Sequence, residues 1–166
     1  MPPSFHRRGF LAVVGTGLAA LTGAAARPSD CATITGSASA DCGESLSLDG
    51  PESVPPGRSN ARFAVTNDGD DRVDVRTGHW AVYRREDGWK RVAANAASGT
   101  VSLAPGEQTA WVLLLGGDGG GSMTTVATTT RYVGPVSLQP GSYAFVVEAE
   151  RGGSSVTAAA RFDVTE

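Results

Sequence analysis

Residue types that often carry chemistry are scarce in this chain. Its 166 residues include 2 cysteines and 2 histidines, and His6 lies in an N-terminal region unlike the rest. Two cysteines are too few for the disulfide framework of a small secreted scaffold. The formal net charge of −3 argues against nucleic acid as the main partner, because phosphate binding needs a basic surface. The hydrophobic fraction of 40% is nevertheless too high for a wholly disordered chain.

Long apolar runs are also absent, except for one near the N-terminus. Residues 10–26 carry no charge, but a run of 17 residues rich in Gly and Ala is marginal for crossing a bilayer of about 30 Å. The segment resembles the twin-arginine export signal at Arg7, Arg8, Phe10 and Leu11. Small residues at 24–26 offer a cleavage site. Residues 1–26 are therefore predicted to be a helical export signal peptide, which places the protein outside the cell or at its surface.

Residues 27–43 form a polar lead-in that carries both cysteines. In an exported protein, two cysteines this close predict a Cys31–Cys42 disulfide, worth about 3 kcal/mol on the chain-entropy model. Lipid attachment at Cys31, which anchors a chain to the membrane, and free thiols are the alternatives. A lipoprotein signal places its apolar run directly before the cysteine, whereas residues 28–30 intervene here. No histidine or further cysteine lies near enough in sequence to complete a metal site with this pair.

The remaining residues, 44–166, show the period-two alternation of β-strands. Glycine and proline interrupt the chain too often for a helix, and Asp87-Gly88 is a preferred hairpin turn. Two segments that are apolar on both faces, 109–115 and 143–147, are predicted as central strands. The predicted strands cover residues 61–66, 73–76, 80–86, 89–92, 109–115, 143–147 and 156–164.

Proline-glycine corners precede several of these strands. The corner at Pro140 and Gly141 is followed by Tyr143, an arrangement that resembles the tyrosine corner of Greek-key sandwiches, in which the hydroxyl bonds back to upstream backbone. The pattern predicts an all-β, immunoglobulin-like antiparallel β-sandwich with Greek-key topology. Three tryptophans are then expected in the core or at strand edges, with a carbohydrate-binding platform as the alternative: Trp80, Trp89 and Trp111.

The order of motifs over residues 61–148 resembles the bacterial Ig-like domains of secreted and lipid-anchored proteins. The motifs are T-N-D-G at 66–69, D-G-W at 87–89, L-A-P-G-E at 103–107 and L-Q-P-G-S-Y at 138–143. The resemblance implies an exported, non-catalytic interaction or structural module. The sequence is also similar to the intracellular proteinase-inhibitor type of Ig-like domain, which implies the alternative of a secreted inhibitor whose loop, residues 116–130, enters a protease cleft.

Residues able to perform chemistry do not form a recognisable motif. A Ser-His-Asp set can be drawn with His79 and Asp74, but no serine lies in a G-x-S-x-G elbow, so a structural role is predicted for His79. The Gly-rich stretch 116–122 lacks the lysine of a phosphate loop. Three carboxylates cluster in one short segment: Asp68, Asp70 and Asp71. Clustered carboxylates can bind Ca²⁺, but these lack the spacing of an EF-hand, so a solvated turn is predicted.

The sequence therefore predicts a protein that is not an enzyme and that needs no cofactor or metal. The expected partner is an unknown protein or cell-envelope component and not a nucleic acid. Membrane contact is expected only through an uncleaved signal or a lipid at Cys31.

Overall fold

The computed structural model describes residues 28–36, 45–57, 59–116, 125–127 and 130–166. The predicted export signal, with Arg7, Arg8, Phe10 and Leu11, lies outside these residues, and so does Cys42. The described ranges form one helix and eleven strands: α1 Pro28–Thr35, β1 Leu46–Asp49, β2 Ser53–Val54, β3 Ser59–Asn67, β4 Val73–Arg85, β5 Trp89–Ala96, β6 Thr100–Leu103, β7 Gln108–Leu115, β8 Thr125–Ala127, β9 Thr130–Val136, β10 Gly141–Arg151 and β11 Ser154–Val164.

The strands form two sheets, which confirms the prediction of an all-β protein. Sheet I has the order β1-β3-β7-β9-β8, and sheet II has the order β2-β11-β10-β4-β5, with β6 paired to the first part of β4. The prediction of a purely antiparallel fold is wrong, because β7 pairs with β9 and β11 pairs with β2 in parallel. Parallel neighbours need a crossover of about a dozen residues or more, and residues 116–129 supply that length between β7 and β9.

The inner faces of the two sheets pack together and form the main core. The alternation of β11 is confirmed, because every second residue from Val156 to Val164 is buried in this core. Phe145 of β10 lies at its centre, with its ring stacked 4.4 Å from the ring of Phe63. Trp80 and Trp111 are 4% and 0% exposed, which confirms them as core residues. Burial of each large side chain contributes about 1.5–3 kcal/mol.

The corner before β10 is held by the side chain of Tyr143. Its hydroxyl donates a hydrogen bond to the carbonyl oxygen of Gln139 at 2.6 Å, and its ring, 1% exposed, stacks on Phe162 at 5.6 Å. Gly141 has a φ of 150°, in the region that favours glycine. The polar end of Tyr143 thus fixes the corner while its ring joins the core.

The turn of clustered carboxylates after β3 is organised by Asn67. This side chain is 0% exposed, and its amide donates to the carbonyl oxygens of Asp71 at 2.8 Å and Leu103 at 3.0 Å. Its amide oxygen accepts from the backbone N–H of Gly69 at 3.1 Å. Among the described residues, no group of three or more His, Cys, Asp or Glu side chains is arranged to hold a metal ion.

Helix α1 differs from the polar, helix-free lead-in that the sequence predicts. Pro28 is its first residue, a position where the missing N–H of proline costs nothing. Cys31 and Ile34 lie three residues apart and so share one helix face, and they are 2% and 1% exposed. They pack on the outer face of sheet II against small or branched residues: Ala144, Val146 and Ala159. Tertiary burial, which local propensity does not report, stabilises this helix.

The contacts of Cys31 bear on the predicted disulfide. Its sulfur lies 3.6 Å from the carbonyl oxygen of Thr157 in β11, and no free cysteine is found among the described residues. Because Cys42 lies outside them, the Cys31–Cys42 bond stays a prediction. In the same described ranges, no helix has both the length and the apolar content that crossing a membrane requires.

Candidate functional site

A cavity of about 410 Å³ opens on the outer face of sheet II beside the C-terminal end of α1. This volume falls in the range of small-molecule sites, about 300–1,000 Å³. Its lining comes from α1 and from four strands, β4, β5, β10 and β11. The polar residues of the lining are Thr35, His79, Tyr83, Arg91, Asn95, Glu148, Ser155 and Thr157. The side chain of Asn95 lies on the inner face of β5, because Asn95 pairs with the core residue Trp80.

A β-bulge in β4 aims His79 at this cavity. Val75 and Trp80 both face the core, although they are five positions apart and regular alternation would place them on opposite faces. The strand register explains this, because Arg76 lies opposite Glu148 while Trp80 lies opposite Val147. Residues 77–79 therefore have no paired residue in β10. The extra residues exchange the faces of the strand, as bulges beside binding sites often do.

The bulge is fixed by contacts with both sheets. The indole N–H of Trp111, from sheet I, donates to the carbonyl oxygen of Thr77 at 3.1 Å. The backbone N–H of Thr77 donates to the carbonyl oxygen of Gly99 at 2.9 Å. At Gly78, a Cβ would lie 2.0 Å from the carbonyl oxygen of Ala97, so only glycine fits. The irregularity is consequently a built feature of the fold.

The bulge places His79 beside two charged residues. Its Nδ1 lies 3.4 Å from Oε2 of Glu148, and Nη1 of Arg76 lies 3.8 Å from the same oxygen. Nη2 of Arg76 also donates to Oε2 of Glu150 at 3.1 Å. These side chains are 35–47% exposed, so each pair contributes about 0–1 kcal/mol. The cluster therefore positions the Glu148 carboxylate more than it stabilises the fold.

Two other polar side chains at the cavity, those of Arg91 and Thr157, are left without protein partners. Within the described ranges, neither makes a hydrogen bond or ion pair. These groups are available to a bound molecule.

Sequence reasoning located His79 but missed its setting. The structure places Glu148 next to His79, whereas the candidate set in the sequence combines His79 with Asp74. The signal for this site was Gly78, because an isolated glycine inside a strand pattern often marks a bulge. The predicted disulfide and corner residues lie away from the polar lining.

A second cavity, of about 380 Å³, lies on the same sheet near the Tyr143 corner. Trp89 lines it, but the guanidinium carbon of Arg161 lies 5.6 Å from the centre of the Trp89 ring. Ser142 donates to Oδ1 of Asp163 at 2.6 Å. Because Arg161 covers the ring, Trp89 does not present the open face of a carbohydrate platform.

Two charged side chains away from the first cavity have shifted pKa values. Burial lowers the pKa of Arg131, whose Nη1 donates to the hydroxyl of Thr109 at 2.8 Å. At the β4–β5 turn, the hydrogen bond from Lys90 lowers the pKa of Glu86, and the charge of Lys90 acts in the same direction.

No protein-family model and no curated protein matches this chain. Among solved structures, it is similar to Spo0M, a sporulation control protein from Bacillus subtilis, with 17% identity and a TM-score of 0.39 over 74% of this chain and 50% of that one. It is also similar to part of a β-glucosidase from Listeria innocua, with 15% identity and a TM-score of 0.33 over 73% of this chain and 16% of that one. The chain thus spans half or less of the length of these proteins.

Proposed function

We propose that this protein is an exported, non-catalytic Ig-like module that binds a ligand or envelope component at or outside the cell surface. The observation that carries the proposal is the cavity at the β4 bulge. There a built irregularity, a covering helix and polar groups without partners converge on one open space. Such convergence is typical of binding sites.

The order of the strands supports the Ig-like assignment. In Ig-type sandwiches, strands A, B and E are neighbours in one sheet, and strand F lies between C and G in the other. Taken in chain order, β1, β3 and β7 are neighbours in sheet I, and β10 lies between β4 and β11 in sheet II. Strand β5 extends sheet II beyond β4 as a C′ strand does. The β8–β9 pair beside β7 is an addition to this pattern.

Export and the disulfide fit the same proposal. Cleavage after residue 26 would leave one residue before α1, so the helix would be the first element of the mature protein. A bond between Cys31 and Cys42 would tie that helix to the segment that precedes β1. Disulfides persist outside the cell.

The arrangement of His79 favours binding over catalysis. Its carboxylate neighbour, Glu148, is also approached by Arg76, and among the described residues no serine or threonine hydroxyl is hydrogen-bonded to the imidazole. A nucleophile activated by a histidine requires that contact. The cluster therefore suits the positioning of a ligand.

Export is tested by expressing the full chain in a bacterium with a twin-arginine pathway. We expect processed protein outside the cytoplasm for the natural sequence and retention inside for the double variant Arg7→Lys, Arg8→Lys. Equal export of the two forms would contradict the twin-arginine route, and retention of both would contradict export.

Binding is tested on the exported protein by NMR with a panel of monosaccharides, sugar acids, amino acids and short peptides. We expect at least one class to shift the amides around His79 and Asn95. The variant Ala94→Trp, which fills the cavity, should abolish these shifts, whereas Val92→Trp on the same strand should retain them. If no class shifts these amides, the binding proposal is wrong. Hydrolysis of ester, glycoside or peptide substrates that His79→Ala abolishes would contradict the non-catalytic assignment.

A further inference from the structure

We infer that the free edge of β5 is an interface, at which a second copy of this chain pairs its own β5 in antiparallel orientation. The contact is separate from ligand binding in the cavity, although both use residues of β5. Three properties of the strand point to it: a backbone that is open on one side, charge that is confined to one end, and small exposed side chains at the other end.

β5 is the longest of the four strands that end the two sheets in the described residues. The strands β1 and β8 have four and three residues, and β2 has two and is followed by Pro55 and Pro56. Short edge strands and prolines keep a sheet from pairing with other chains. β5 has eight residues, and within the described ranges it pairs only with β4. Its backbone N–H and C=O groups on the other side are therefore open to a further strand.

The features that guard this edge lie only in the first half of β5. Lys90 and Arg91 carry charge there, and a shift in the register with β4 makes a β-bulge at Val92. Charged side chains and bulges both hinder strand pairing at an edge. Residues 93–96 form the second half and contain three alanines and one asparagine, with no charge, proline or bulge. The second half of β5 can therefore accept a strand that the first half would hinder.

The position of the charges favours an antiparallel partner of the same sequence. When two copies pair about residues 93–96 in antiparallel orientation, Lys90 and Arg91 of each copy lie at opposite ends of the joint. Parallel pairing would set them opposite their own counterparts, and like charges directly across two strands are destabilising. A copy of this edge also brings no charge to the centre of the pairing. A two-fold axis, the commonest symmetry of protein dimers, then lets one patch serve both copies.

Exposed apolar side chains would be covered by this contact. Val92 is 47% exposed, and it is one of two large hydrophobic side chains that are exposed among the described residues. In antiparallel pairing centred on Ala94, Val92 lies opposite Ala96 of the second copy. Ala94 and Ala96 also line the first cavity, so the two cavities would lie side by side on one continuous outer face. The dimer would thus present both cavities on the same side.

The test is sedimentation velocity of the exported protein over a series of concentrations, with charge placed at the centre of the joint. Ala94 is exposed, so Ala94→Lys and Ala94→Asp should fold as the natural sequence does. We expect the natural protein to change from monomer to dimer as its concentration rises. Each variant should weaken the dimer by about 5-fold, because two like charges then face each other. An equimolar mixture of the two variants should dimerise again, because opposite charges then meet across the joint.

Ser154→Lys is the matched control, because it adds the same charge at an exposed position of β11, which β10 and β4 separate from β5. It should leave the dimer unchanged. A natural sequence that stays monomeric at every concentration would overturn the inference. A dimer that Ala94→Lys does not weaken, or a mixture of the two variants that stays monomeric, would overturn it as well. Binding in the cavity is measured separately by NMR, so either proposal can fail alone.

Discussion

The two faces of sheet II are built from the same strands but have different partners and different chemistry. The inner face contributes large side chains such as Phe145 and Phe162 to the core shared with sheet I. The outer face carries small side chains such as Ala144 and Ala159, a helix that covers them, and a polar cavity beside that helix. The inner face holds the fold together, and the outer face has the features expected of a binding surface.

The largest effect is expected on the inner face. Phe145→Ala removes a ring that contacts Phe63, Trp80 and Trp111, and we expect a loss of about 3–5 kcal/mol in the free energy of unfolding. The neighbouring change Val146→Ala, on the outer face, should cost about 1–2 kcal/mol because fewer buried atoms are lost. Urea denaturation of the two variants measures the difference. Equal losses would show that the two faces contribute alike.

An intermediate effect is expected where the helix meets the sheet. Ile34→Ala removes the larger of the two buried α1 side chains and should lower the free energy of unfolding by about 2 kcal/mol, because the helix can detach without unfolding the core. Ile34→Leu conserves volume and should cost less than about 1.5 kcal/mol. Limited proteolysis should cut near α1 faster in Ile34→Ala only. Unchanged stability and cleavage would contradict the docking of the helix.

A smaller effect is expected at the corner that leads into sheet II. Tyr143→Phe keeps the buried ring but removes the hydrogen bond to Gln139, so we expect a loss of about 1 kcal/mol. Tyr132→Phe is the matched control, because Tyr132 is 40% exposed and its change should be close to neutral. Thermal denaturation compares them, and an equal effect of both changes would remove the special role of the corner.

The smallest effect is expected at the β4–β5 turn, which belongs to neither face. Lys90→Met removes the group that lowers the pKa of Glu86, so the Glu86 pKa should move up toward its ordinary value. A lowered pKa in the folded chain gives stability above the unfolded pKa that is lost as pH falls through the folded pKa. The pH dependence of stability in mildly acid solution should therefore become shallower. NMR titration of the Glu86 carboxyl measures the shift, and an unchanged pKa would rule out Lys90 as its cause.

The alternation of polar and apolar residues along a strand shows which side chains face the core. It therefore limits how far the sequence predicts the two faces of sheet II. Period-two patterns identified the inner face, as in β11, where one regular run of residues enters the core. The run 143–147, apolar on both sides, correctly implied that both faces of β10 are covered. The run does not identify the element that covers the outer face, which is α1. The sequence of α1 has little helical pattern of its own, and the helix is held in place because Cys31 and Ile34 pack on small side chains that are distant in sequence.

The candidate site was harder to predict for a related reason. Its geometry depends on the bulge at residues 77–79, which exchanges the faces of β4. A strict alternation carried from Val75 would place Trp80 outside and His79 inside, the reverse of what is observed. The bulge depends on contacts with Trp111 and Ala97, which are tertiary and leave only Gly78 as a mark in the sequence.

The most direct test of this account is hydrogen exchange of the exported protein, measured by mass spectrometry for α1 and β10 together. If the helix covers the outer face of sheet II, amides of α1, including the bond from Gly36 to Ala32, should exchange far more slowly than those of an unstructured peptide. They should exchange faster than the amides of β10, and Ile34→Ala should remove the protection of α1 alone. Exchange of α1 at the rate of an unstructured peptide in the natural sequence would contradict the account.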